Sequence, residues 1–193
     1  MNDLKATNVE SLFGLMDEAI TLLQTEVELT YIEALSETLE NLSFEAKAQQ
    51  VEGLPSIEAV ERLNSLYKKM NLDALDKEII RKSIQLTFIK ATKEDKLQMN
   101  HQMTPDTIAY LIAYFIGEIK KDKTEKLHVS DLAAGTGNLL NIVVAHLTSR
   151  GNEVTAEAVD NDDLLISVAA NSGALLGFSE KIHYTHSDSL QEL

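Results

Sequence analysis

The spacing of apolar residues changes near residue 100, and that change constrains the fold more than any other feature of this chain. Up to about residue 90, apolar side chains recur every three or four positions, the mark of a helix with one buried face. Leu12, Phe13, Met16, Ile20, Leu23 and Val27 form such a face, and Tyr31, Ile32, Leu35, Leu39 and Leu42 continue it. No Gly or Pro interrupts residues 15–52, so the pattern fits one long helix or two. The stretch GLPS (53–56) is a break, and Ser56 is placed to cap a helix whose face is Ile57, Val60, Leu63, Leu66, Tyr67 and Met70. Asp73 is expected to cap another, carrying Leu75, Ile79, Ile80, Ile84, Leu86 and Ile89. Residues 1–90 thus read as a helical bundle without a catalytic constellation, an interaction or packing module, followed by a polar linker over 91–102.

Beyond the linker, short strands alternate with helices. Thr104 as N-cap, Pro105 and Asp106 predict a helix start, and that helix is expected to bury Ile108, Leu111, Ile112, Phe115 and Ile119. LHVSDLA (127–133), VTAEAVD (154–160) and IHYTHSD (182–188) read as strands. Helices are expected from about Asn138 to Thr148 and from Asp163, its N-cap, to Leu176, the latter closed by Gly177. The order α-β-α-β-α-β predicts an α/β fold: parallel strands, right-handed crossovers, and the first half of a Rossmann-like sheet over 103–193.

Composition limits the possible functions. There are no cysteines, so disulfides and thiolate metal sites are excluded. No run of eighteen apolar residues is present and the N-terminus lacks the pattern of a secretion signal, so a cytoplasmic protein is expected. The formal charge is −14, and residues 1–66 hold thirteen acids against three bases. Such a surface repels nucleic-acid phosphates and favours protein partners. His101, His183 and His186 lack the spacing of a metal site.

The loop DLAAGTGNLL (131–140) ends the first strand, where open parallel sheets bind ligands. Gly135 and Gly137 permit a tight turn and close approach of a ligand. A dinucleotide fingerprint requires a third glycine where Leu140 stands, and a Walker loop requires Lys where Asn138 stands. The loop has no base, and Asp131 would repel a phosphate. Asp160 ends the second strand and can accept both hydroxyls of a ribose, while Asp188 follows the third and can accept from an adenine amine. Three acids at successive strand ends suit a phosphate-free adenosine with an amino group and a positive centre, which is the chemistry of S-adenosylmethionine.

On these stretches the sequence resembles the class I S-adenosylmethionine-dependent methyltransferases, and within them the N6-adenine DNA methyltransferase branch. HQMTPDTIA (101–109) resembles its motif X, DLAAGTGNLL motif I, AVDNDDLLISVAANSGALLG (158–177) motif II and HYTHSDSL (183–190) motif III. The order X-I-II-III resembles the gamma arrangement, and the layout is similar to Gram-positive adenine-specific methyltransferase-like proteins with a helical N-terminal region. The resemblance implies S-adenosylmethionine as cofactor, with contacts from Thr104, Pro105, Asp131, Ala133, Gly135, Thr136, Gly137, Asn138, Asp160, Asn161, Asp188 and Ser189.

The branch's catalytic Pro-Pro-aromatic motif is absent, since Pro55 and Pro105 are the only prolines. The expectation is a cofactor-binding fragment, truncated after the third strand and unable to methylate DNA. Nucleic acid would then be met through a missing C-terminal part. A protein partner or a second copy would meet the acidic helical half or an open strand edge, and no membrane contact is expected. Two alternatives stand beside this reading: a non-catalytic binding or interaction module, and a nicotinamide-dependent oxidoreductase, against which Leu140 argues.

Overall fold

A computed structural model describes residues 5–96, 103–120 and 126–190. The chain divides into two compact units, Met1–Asn100 and His101–Leu193.

The first unit holds α1 (Val9–Val27), α2 (Tyr31–Ser43), α3 (Ile57–Met70), a single 3-10 turn (Leu72–Ala74) and α4 (Lys77–Glu94). The apolar run that fits one helix or two is two. Glu28 adopts a left-handed conformation with φ 60°, and Thr30 restarts the chain through a capping box with Glu33. Helix α1 packs against α2, α3 and α4. Leu12, Met16, Ile20 and Leu23 of α1 meet Tyr31, Leu35, Leu39, Leu63, Tyr67, Met70, Ile80 and Phe88 in a core where each is fully or nearly fully buried. Ser56 caps α3 as expected, accepting from the Ala59 N–H at 3.3 Å. Of the face expected on that helix, Ile57 remains exposed.

Two boundaries differ from the sequence expectation. Asp73 lies inside the 3-10 turn, and Asp76 caps α4 instead, accepting from the Glu78 N–H at 2.7 Å. Residues 91–94 belong to α4 and not to the linker expected over 91–102. Ala91 is fully buried, which holds the last turn of the helix in place. The Asp95 carboxylate then accepts the N–H groups of Tyr31 and Ile32 at 3.1 and 2.8 Å, so the end of α4 caps the start of α2. Residues 97–102 lie outside the described part.

The second unit holds α5 (Asp106–Ile119), β1 (Lys126–Asp131), α6 (Asn138–Ser149), β2 (Glu153–Asp160), α7 (Asp163–Leu176) and β3 (Ile182–His186). The architecture is α/β: a parallel sheet in the order β1-β2-β3, with Leu127 opposite Val154 and Ala156 opposite Ile182. Both crossovers step the same way across the sheet, and the right-handed rule for such connections sets α6 and α7 on one face. Burial agrees with this: Leu127, Val154, Ala156, Ala158 and Ile182 form one core with Leu140, Val143, Val144 and Leu147 of α6 and Ile166 and Ala169 of α7. The alternate residues point the other way, and most are polar. Lys126, His128, Ser130, Glu153, Thr155 and His183 are exposed, with an ion pair between Lys126 and Glu153 at 2.7 Å.

Helix α5 departs most from expectation. Ala109, Ala113 and Gly117 are its buried residues, with Ile112 and Ile116 partly covered. Ile108, Leu111, Phe115 and Ile119, expected inside, are 47–77% exposed. The small side chains recur every four residues and let α5 approach α6 closely, which the larger ones would prevent. Gly117 lies under Arg150, whose guanidinium pairs with Glu118 at 3.1 Å.

No helix among the described residues is long and apolar enough to cross a membrane.

Candidate functional site

The carboxyl ends of β1 and β2 and the loop 131–138 build the site. Asp131 closes β1 and folds back in an Asx turn, its Oδ1 accepting from the Ala133 N–H at 3.2 Å. The Ala134 N–H donates to the Val159 carbonyl at 3.0 Å, tying the loop to β2. Gly135 and Gly137 have φ of 53° and 73°, the left-handed region that glycine enters without steric cost. A Cβ on Gly137 would also come within 3.1 Å of the Ala169 methyl. The fold thus shows the tight turn expected of both glycines.

Asp160 organises the loop. Its Oδ2 accepts from the Gly135 N–H at 2.7 Å and its Oδ1 from the Asp162 N–H at 3.0 Å. The side chain expected to meet a ribose therefore also shapes the glycine turn, with lone pairs on both oxygens left for a ligand. Asp162, not Asp163, caps α7, accepting from the Leu165 N–H at 3.0 Å. Asp163 occupies the first turn, where the helix dipole favours an acid, and lies 3.7 Å from His186 Nδ1.

Burial raises the Asp131 pKa from its ordinary value; the Ala133 N–H opposes that rise and the Asp160 charge adds to it. No lysine or arginine lies in the loop to relieve the two acids. A cationic or hydroxyl-rich ligand would be received there in a way that a phosphate would not.

The third strand contributes through its exit. The Ser187 N–H donates to the Asp160 carbonyl at 2.9 Å, and Ser189 Oγ to the Leu132 carbonyl at 2.9 Å. Asp188 is half-buried and closes a turn onto the Leu190 N–H at 3.0 Å. Asn161 is exposed, its carbonyl 3.2 Å from His186 Nε2. Ala133 is exposed, whereas Thr136 and Asn138 are 8% and 6% exposed.

At the start of α5 the helix opens one residue later than expected. Pro105 is the N-cap, with ψ 140°, and Thr104 stands outside and makes no cap, because the proline's extended backbone postpones the first helical residue to Asp106. The Asn138 amide donates to the Thr104 carbonyl at 3.3 Å and to Asp106 Oδ1 at 3.4 Å, joining the start of α5 to the start of α6. Sequence reasoning missed Asn141. It is 2% exposed on the first turn of α6, and its Oδ1 has no partner among the described residues. A second asparagine in the apolar run NLLNIVV was the available signal. Among the described residues, no group of three or more His, Cys, Asp or Glu could hold a metal ion.

Comparison with solved structures places this geometry among known folds. The chain superposes on a Listeria monocytogenes protein assigned as a class I S-adenosylmethionine-dependent methyltransferase, with a TM-score of 0.76 and 36% identity over 91% of this chain. The fold is methyltransferase-like. The methyltransferase subunit of a type I restriction-modification system from Streptococcus thermophilus shares the fold at 12% identity, with a TM-score of 0.53 over 90% of this chain and 37% of its own. Residues 10–92 match the family described as the YtxK N-terminal helical domain. The uncharacterized protein YtxK of Bacillus subtilis is 33% identical over 98% of this chain. The chain spans about half of these longer relatives, 55% of the Bacillus protein and 52% of the Listeria chain.

Proposed function

We propose that residues 103–193 bind S-adenosylmethionine and form the cofactor half of a methyltransferase whose acceptor is the N6 amine of adenine, as the motif order implies. One observation carries the reading: Asp160 holds the Gly135 N–H at 2.7 Å while Asp131 stands at the adjacent strand tip of a loop without a base. In this reading Asp131 meets the amino group of the ligand, Asp160 its ribose, and Asp188 with Ser189 its adenine. Gly135 and Gly137 leave room for the ligand's chain, and Asn138 fixes α5 beside it. The bound cofactor supplies an electrophilic methyl group, and this chain's contribution is to position it.

Titration calorimetry with S-adenosylmethionine, S-adenosylhomocysteine and NAD tests the assignment. The first two are expected to bind and NAD is not. Binding of NAD alone overturns the proposal. A second reading is cofactor binding without transfer by these 193 residues, which contain no Pro-Pro pair. Incubation with radiolabelled cofactor and adenine-containing duplex DNA separates the two for this chain. Labelled DNA would place the catalytic groups within it, and the expected result is none.

A further inference from the structure

The segment joining α2 to α3 departs from what a connecting loop usually does. Residues 44–57 present Phe44, Val51, Leu54 and Ile57 to solvent at 72, 70, 50 and 65% exposure. Four large apolar side chains exposed within fourteen residues exceed scattered single exposure, and extended apolar patches mark contact surfaces. The segment is also firmly held. Val51 and Leu54 exchange backbone hydrogen bonds of 2.8 and 3.0 Å. Gln50 Nε2 donates to the carbonyls of Gly53 and Pro55, and the Ala48 N–H to Asn64 Oδ1 at 2.9 Å. Ser56 donates its N–H and its hydroxyl to Glu26 Oε2 at 3.1 and 2.6 Å. Glu45, Ala46 and Glu52 all have left-handed φ values, between 52° and 60°, a conformation that L side chains adopt at a cost. The backbone is thus kept in a strained shape that leaves its apolar side chains outside.

Charge identifies the occupant. Residues 40–62 contain Glu40, Glu45, Glu52, Glu58 and Glu61 against Lys47 and Arg62. Both bases are already paired, Lys47 with Glu45 at 2.8 Å and Arg62 with Glu18 at 2.7 Å. Glu52 sits between Val51 and Leu54, and Glu58 beside Ile57, so acids with no ion pair among the described residues border the apolar ones. Such a border repels nucleic acid and anionic lipid and attracts lysine and arginine.

We propose that the 44–57 segment is a docking surface for a partner protein, and that it takes a segment whose apolar side chains are flanked by basic ones. The apolar residues supply the affinity, and the acids set orientation and association rate.

The test uses the full chain and three synthetic peptides: a helical 14-mer with leucine on one face and lysine on the other, its glutamate-for-lysine version, and a lysine-glycine peptide without leucine. Binding is read by fluorescence anisotropy and by backbone amide shifts. The lysine-leucine peptide is expected to bind, to shift resonances of residues 44–57, and to weaken with salt. V51S/L54S and E52K/E58K are each expected to weaken it by about tenfold or more with unchanged circular dichroism. Equal binding of the lysine-glycine peptide, affinity unaffected by V51S/L54S, or shifts spread over other acidic faces would overturn the proposal. So would duplex DNA shifting the same residues, or V51S/L54S converting an oligomer of this chain to a monomer, because the occupant would then be another.

Discussion

At the residue scale, Asp160 and Asp131 do different work although both end strands. Asp160 holds the turn through Gly135, so Asp160→Ala leaves a half-buried N–H without its acceptor. The expected loss is about 1–3 kcal/mol, measured by urea unfolding, together with loss of cofactor binding by calorimetry. Asp131 carries a raised pKa, chiefly from burial. Its protonated form therefore favours the fold, and that contribution is present below the unfolded carboxylate value and is lost as pH rises through the folded one. Asp131→Asn is expected to gain stability over the parent at neutral pH and to match it at about pH 3, where both are uncharged. The urea midpoint across that range checks this, and calorimetry should show weaker binding of the cationic cofactor. The placing of Asp131 and Asp160 at strand ends and of Gly135 and Gly137 in a tight turn was legible in the sequence, because an apolar run closed by an acid and followed by paired glycines marks a strand leading into a turn. The Gly135–Asp160 bond was not legible, since it joins a loop residue after β1 to the end of β2, far along the chain.

At the element scale, the sequence identified helices and strands well and their ends less well. The T-x-x-E at Thr30–Glu33 announces the start of α2, yet the unbroken apolar periodicity across it conceals the division until the Glu28 backbone is seen. The displacement of the α4 cap from Asp73 to Asp76 arises because a 3-10 turn intervenes. The face of α5 was misjudged because periodicity locates an apolar stripe without saying whether large or small members of it meet the neighbour. Capping also predicts energetics. Asp95 satisfies two N–H groups at the start of α2 from the end of α4, so Asp95→Ala is expected to cost about 0.5–2 kcal/mol in chemical denaturation. Gly137→Ala meets both a left-handed φ and the Ala169 methyl, and is expected to lose about 1–2 kcal/mol or more along with cofactor affinity.

At the scale of the whole molecule, two cores are built from one chain, and the residues proposed to bind the cofactor all lie in the second. Saturating S-adenosylmethionine is therefore expected to slow hydrogen exchange at amides 133–137 and to leave those of α1–α4 unchanged. Uniform slowing through both units would contradict that assignment of the site. Fold class was legible here because the change in apolar period separates bundle from sheet. The character of the sheet's second face was not, since polar alternation in a strand also fits a strand at a surface. That two-sidedness has an evolutionary consequence. Neighbouring positions along β1 and β2 answer to different pressures. Val154, Ala156 and Ala158 can change only if helices on the far side change with them. Glu153 and Thr155, one step along, are exposed and tied to Lys126 and His128 across the strand pair, so they can change with those partners and without the helices. Homologues should preserve every second letter of these strands while the letters between them wander.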